Sequence, residues 1–129
     1  SFRQPTPGDL TASFGMRPIF NGVPRSPHSG LDIRAPQGQA VRAPAPGRVV
    51  LTGDFFYSGQ AVFIAHGEGA VSLLCHLSKI SVKEGQLLQA GDLVGEVGRT
   101  GRATGPHLHW SLSLNNARVD PRIFLGGHP

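Results

Sequence analysis

The chain has 129 residues, the usual size of one domain, so a single hydrophobic core is expected across 1–129, with 1–13 as an extended lead-in. Its 12 Lys and Arg against 8 Asp and Glu give a formal charge of +4, which suits an anionic partner, but the basic residues are dispersed rather than gathered in a stripe interleaved with aromatics, which argues against nucleic acid. One Cys excludes an internal disulfide, and no apolar stretch approaches the ~20 residues of a membrane span.

Residues 1–31 carry Pro5, Pro7, Pro18, Pro24 and Pro27 and few alternating apolar positions, which predicts a loop-rich segment lying across the surface of a sheet. The abrupt start at Ser1 leads us to expect a signal peptide or upstream domain ahead of it. Beyond residue 31, glycines and prolines punctuate short apolar runs, the pattern of many strands joined by turns. The expected strands are Ala40 to Ala43, Arg48 to Gly53, Gln60 to His66, Ala70 to Leu77, Leu87 to Leu88, Leu93 to Val97 and His107 to Leu114. Turns are expected at Pro46-Gly47, Ser58-Gly59, Gly67-Glu68-Gly69 and Ala90-Gly91-Asp92. No window sustains an apolar period of 3.6 residues, so the fold is predicted to be all-β. Residues 40–50 and 87–98 share a rough shape that resembles the hammerhead hairpins of biotinyl/lipoyl-type hybrid barrels, and a duplicated hybrid motif is the expected architecture. Val119 to Leu125 reads as a closing turn whose Ile123 and Phe124 pack on the core.

From His107 the chain alternates strictly: His107, His109, Ser111 and Ser113 face one way, and Leu108, Trp110, Leu112 and Leu114 the other. On a helix, residues two apart do not share a face. On a strand the two imidazoles sit about 6.5 to 7 Å apart on one side and can serve one site. The alternative is the solvent-facing half of an edge strand. His28 and Asp32 are four apart, roughly 13 Å on a straight strand, but Gly30 between them permits a bend that folds both inward. The alternative there is an ordinary polar turn.

Together the two segments supply three histidines and a carboxylate. Catalytic zinc takes three N/O ligands and leaves a position for water, whereas structural zinc is usually closed by Cys-rich sets that one Cys cannot build. The donors therefore lean toward an open, hydrolytic metal centre. By residue pattern alone His76, at the end of an apolar run, reads as a hydrogen-bonded core residue; His66 and His128 read as structural or solvent-facing, and Cys75 as a small buried side chain.

The sequence resembles the LytM/lysostaphin-type (M23) metallopeptidases over nearly its whole length, from about Phe14 to Leu125. The likeness rests on Phe14-Gly15-Met16-Arg17, on Pro27-His28-Ser29-Gly30-Leu31-Asp32 with the following Ala35-Pro36-Gln37-Gly38, on Ile64-Ala65-His66-Gly67 and Cys75-His76-Leu77-Ser78, and above all on Gly105-Pro106-His107-Leu108-His109. The resemblance implies an antiparallel β-sheet with a groove along its floor. It implies one zinc ion held by His28, Asp32 and His109, with His76 and His107 as catalytic residues that are not ligands. It further implies hydrolysis of the stem or cross-bridge peptides of bacterial peptidoglycan in the periplasm or outside the cell; separately, the domain is expected to act as a monomer.

Members commonly carry Tyr where this chain has Leu74. Alternation would point Leu74 to the same side as His76, so an altered groove wall or altered packing of His76 is expected. The Gly98 to Gly105 loop, with Arg99, Thr100, Arg102 and Thr104, is expected to form one bank of the groove. The rival reading is a non-catalytic LytM-like domain that binds and activates a cell-wall amidase. A hybrid-barrel phosphocarrier is a weaker rival, because it leaves Asp32 without a task.

Overall fold

Alternating apolar and polar side chains give the sheet one buried and one open face, and that division positions everything that follows. The computed structural model describes residues 2–12, 19–20, 23–24, 30–101 and 103–125. In chain order the strands are β1 (Asp9–Ala12), β2 (Ile19–Phe20), β3 (Val23–Pro24), β4 (Leu31–Arg34), β5 (Ala40–Arg42), β6 (Gly47–Phe55), β7 (Gly59–Gly67), β8 (Ala70–Ile80), β9 (Leu87–Leu88), β10 (Leu93–Val97), β11 (His107–Leu114) and β12 (Ala117–Val119). A 3₁₀ turn, Pro121–Phe124, follows β12, its start capped by the Asp120 carboxylate, which accepts from Arg122 N.

The main sheet runs β1-β4-β11-β8-β7-β6-β9, with β10 joined to β8 and β5, and β12 to β11. Every pairing is antiparallel, so the all-β expectation is met. The strands expected from residue 40 onward all form, two of them two or three residues longer at one end than their sequence pattern. The two similar segments pair with each other, β5 against β10 and the start of β6 against β9, with Gly47 opposite Leu88.

Leu31 and Ile33 of β4, Val62 and Ile64 of β7, Leu74 and Leu77 of β8, and Leu108 and Trp110 of β11 pack into one cluster, all fully buried. Burying a side chain of this size stabilises by roughly 1.5–3 kcal/mol, so β11, between β4 and β8 in the sheet, is anchored through Leu108 and Trp110. On this side His66 Nδ1 lies 2.8 Å from Pro46 O and Nε2 lies 2.8 Å from Ser72 Oγ, which also accepts from Trp110 Nε1 at 3.1 Å.

The opening segment differs from its expectation in carrying strands, β2 paired with β3 and β1 with β4. It does lie across the sheet at Phe2, whose ring packs edge-on against His66 with centroids 5.0 Å apart and whose N–H donates to Phe124 O. Asp9–Ala12, however, is a strand rather than a loop, hydrogen-bonded along β4. The outer edge of β4 carries backbone donors and acceptors that require partners, and β1 supplies them.

Candidate active site

β4 and β11 pair so that Asp32 stands directly opposite His109 and Arg34 opposite His107. Residues directly opposite on an antiparallel pair project from the same face, which brings the Asp32 carboxylate to the two imidazoles. Asp32 Oδ1 lies 2.6 Å from His109 Nδ1 and 3.7 Å from His107 Nε2. The side chains keep 34% (Asp32), 23% (His107) and 13% (His109) of their exposure, so a substrate can reach them on the open face. Burial pushes the Asp32 carboxyl up, but the hydrogen bond with His109 and the charges of His109, His107 and His76 outweigh it, and its pKa falls below the ordinary carboxylate value.

Gly30 makes room for His109; the bend expected of it toward His28 involves residues outside the described ones. A Cβ on Gly30 would stand 2.7 Å from His109 Nε2 and 2.8 Å from Trp110 O. The missing side chain is what lets the start of β4 lie against the His109 ring.

His76 reaches the same face by an irregularity in β8. The register steps from Gln60–Leu77 to Val62–Leu74, so Cys75 and His76 together face a single residue, a β-bulge. His76 takes the extra position with φ of 66°, the left-handed region that side chains other than Gly enter at a cost. Its ring then stands 5.0 Å from that of His107 and 6.3 Å from that of His109, between centroids. The bulge corrects the expectation for Leu74. Simple alternation fails across the extra residue, so Leu74 and Leu77 both enter the core, and Leu74 is fully buried rather than part of a groove wall.

Backbone carbonyls set the ring protons. His76 Nδ1 lies 2.7 Å from Thr100 O, and His107 Nδ1 lies 2.9 Å from Gly105 O. A carbonyl only accepts, so each Nδ1 carries the hydrogen and each Nε2 is left with a lone pair in the neutral ring. Burial lowers the pKa of His76 against the raising effect of the Thr100 carbonyl, and the neighbouring imidazoles lower it further, which favours the neutral form a general base needs. His109 Nε2 lies 3.0 Å from the hydroxyl of buried Ser111. Alternation places Ser111 on the face of His109, and that shared face is the signal by which its contact could have been found. Cys75 is buried, and burial pushes its thiol up to about 11, so it is no nucleophile at neutral pH.

His28, Arg102, His128 and the segments Phe14-Gly15-Met16-Arg17 and Pro27-His28-Ser29 lie outside the described residues. Among the described residues no three His, Cys, Asp or Glu side chains form a ligand cluster. The donors that do meet suit zinc, a carboxylate and an imidazole nitrogen facing each other. A hydrogen on His109 Nδ1 makes that contact a hydrogen bond, and a bound cation would take that hydrogen's place. The Ser111 hydroxyl can donate or accept, so it suits either protonation of the ring. A half-open cavity of about 340 Å³ lies elsewhere, between the opening segment and β5, lined by Arg3, Thr6, Gln39 and Arg42 among others and by none of the four site residues.

Residues 26–121 match the model of peptidase family M23. The chain is 42% identical over 105 residues to the peptidoglycan DD-endopeptidase ShyA of Vibrio cholerae, which covers 81% of this chain and 24% of that protein; it spans under a quarter of the length of the curated relatives it matches first. Among solved structures, an M23 peptidase of Pseudomonas aeruginosa superposes with a TM-score of 0.84 at 49% identity, over 99% of this chain and 51% of that one. A zinc-containing peptidase from Vibrio cholerae superposes with a TM-score of 0.81 at 32% identity, over 92% of this chain and 38% of the other. The matched residues include Asp32, His76, His107 and His109 and most of the sheet that carries them, and the chain belongs to peptidase family M23, the LytM/lysostaphin-type metallopeptidases.

Proposed function

We propose that this chain is a zinc-dependent endopeptidase that hydrolyses the peptide cross-links of bacterial peptidoglycan. The observation that carries the proposal is the convergence, on one accessible face, of the Asp32 carboxylate, the His109 imidazole and the two further imidazoles of His76 and His107. Asp32 and His109 would hold the ion together with His28. Bound there, zinc would acidify a water molecule and polarise the scissile carbonyl.

The remaining work falls to His76 and His107. Each has its Nδ1 hydrogen committed to a backbone carbonyl, so each presents Nε2 to the site. One takes the proton of the attacking water on its Nε2; the other serves in its doubly protonated form, whose Nε2–H steadies the developing oxyanion or passes to the leaving amine. The substrate class is supported by ShyA, named a peptidoglycan DD-endopeptidase, and the exposure kept by Asp32, His107 and His109 leaves the site reachable. On that substrate the protein would act in the cell envelope, periplasmic or extracellular, on stem or cross-bridge peptides.

Purified sacculi incubated with the protein, with and without a chelator, test this reading by mass spectrometry of newly freed amino groups. Chelator-sensitive release is expected. Absence of release from zinc-loaded protein, with stimulation of an added amidase instead, would replace the peptidase reading by the regulatory one.

A further inference from the structure

His76 occupies a left-handed position inside β8 and is held there by two loops. Its N–H donates to Ser58 O at 2.7 Å, from the turn between β6 and β7. Its Nδ1 meets Thr100 O at 2.7 Å, from the loop between β10 and β11. A loop carbonyl is a dependable acceptor only if the loop itself is fixed, and the fastening is the side chain of the same threonine. Thr100 Oγ1 donates to Leu77 O at 2.8 Å and accepts from Gln60 N at 3.0 Å. It therefore ties the loop to the start of β7 and to the residue directly after His76.

The surrounding backbone leaves this tether little play. A Cβ on Gly59 would stand 2.3 Å from Thr100 Oγ1, and one on Gly101 would stand 2.4 Å from Gly59 N and 2.5 Å from Tyr57 O. Both glycines have positive φ, 65° and 73°, so the two loops meet glycine to glycine with the threonine hydroxyl at the seam. Gln60 Nε2 also donates to Ser78 O at 3.0 Å, bracing the same stretch of β8.

We infer that Thr100 is a positioning residue, whose hydroxyl fixes the loop so that its own carbonyl holds the His76 ring with hydrogen on Nδ1 and a lone pair on Nε2. The inference rests on the proposed role of His76 as a proton-transfer group, but the tether itself is read without activity.

The test compares Thr100→Val, which keeps the branched shape and removes the hydroxyl, with Thr100→Ser, which restores it. Long-range ¹H–¹⁵N spectra of the histidine rings in the full zinc-loaded chain report the His76 tautomer. For Thr100→Val we expect unchanged zinc content and KM, a kcat lower by about 10- to 100-fold, and a His76 ring spread over both tautomers. Thr100→Ser should restore kcat and the single tautomer. A valine variant with the parental His76 tautomer overturns the inference, whether or not its kcat falls, since a purely structural role would lower thermal stability and leave the ring unchanged. Should His76→Ala cleave at the parental rate, the catalytic reading of His76 fails, and the ring spectra of the valine variant still decide the tether.

Discussion

Asp32 Oδ1 and His109 Nδ1 lie 2.6 Å apart although 77 residues separate them in the chain. Strand register alone brings them together, because β4 and β11 pair with these two residues directly opposed. The close approach depends on Gly30, whose absent side chain leaves room for the His109 ring. Gly30→Ala is therefore expected to displace that ring, weakening zinc binding by at least 10-fold while the sheet still folds. A zinc titration in competition with a chromophoric chelator would read the loss, and an unchanged affinity would show that the space is not needed.

His76 and His107 are expected to separate chemistry from metal binding. His76→Ala and His107→Ala should each keep zinc and lose cleavage by 100-fold or more, the usual scale for a proton-transfer group. Zinc content by elemental analysis beside a peptide-release assay measures both. Loss of the metal in either variant would make that residue a ligand.

The bulge at His76 carries a prediction about Leu74. Because Leu74 is fully buried in the core, Leu74→Tyr adds volume and a hydroxyl to a packed interior and should cost about 1–3 kcal/mol of stability. The position does not line the site, so the bond cleaved should not change. Urea unfolding and product mapping by mass spectrometry check the two halves separately.

His66 should make stability depend on pH. Burial holds its pKa below the ordinary histidine value, against the raising effect of the Pro46 and Ala45 backbone. The unfolded chain therefore binds a proton more readily than the folded one. The contribution of neutral His66 is fully present above the unfolded value near 6.5 and is lost as pH falls from there through the folded value. Urea midpoints should drop between pH 7 and 5, and His66→Gln should flatten that slope. Ser72→Ala, which strips a partner from His66 Nε2 and from buried Trp110 Nε1, should cost about 1–3 kcal/mol at any pH.

Much of the fold is legible in the amino-acid sequence. β11 is readable to the residue because eight positions alternate without a break and one half is strongly apolar. β10 and β9 are equally clear between glycine turns. β4 and β1 escape such a reading because they lie in or beside the proline-rich opening segment, and β1 pairs along the β4 edge. The bulge has no signature. A left-handed bulge position usually announces itself as Gly, whereas here it is His76, so strict alternation assigns Leu74 to the wrong face. The shared face of His107 and His109 is legible from alternation, but that Asp32 meets them follows only from the register of β4 against β11.

Zinc content bears most directly on the central claim. After zinc loading and desalting, the parent chain should carry one zinc ion and release peptides from sacculi, while Asp32→Asn and His109→Ala, folded by circular dichroism, should carry less than a tenth of that and release none. Either variant retaining a full equivalent of zinc and cleaving at the parental rate would contradict the account.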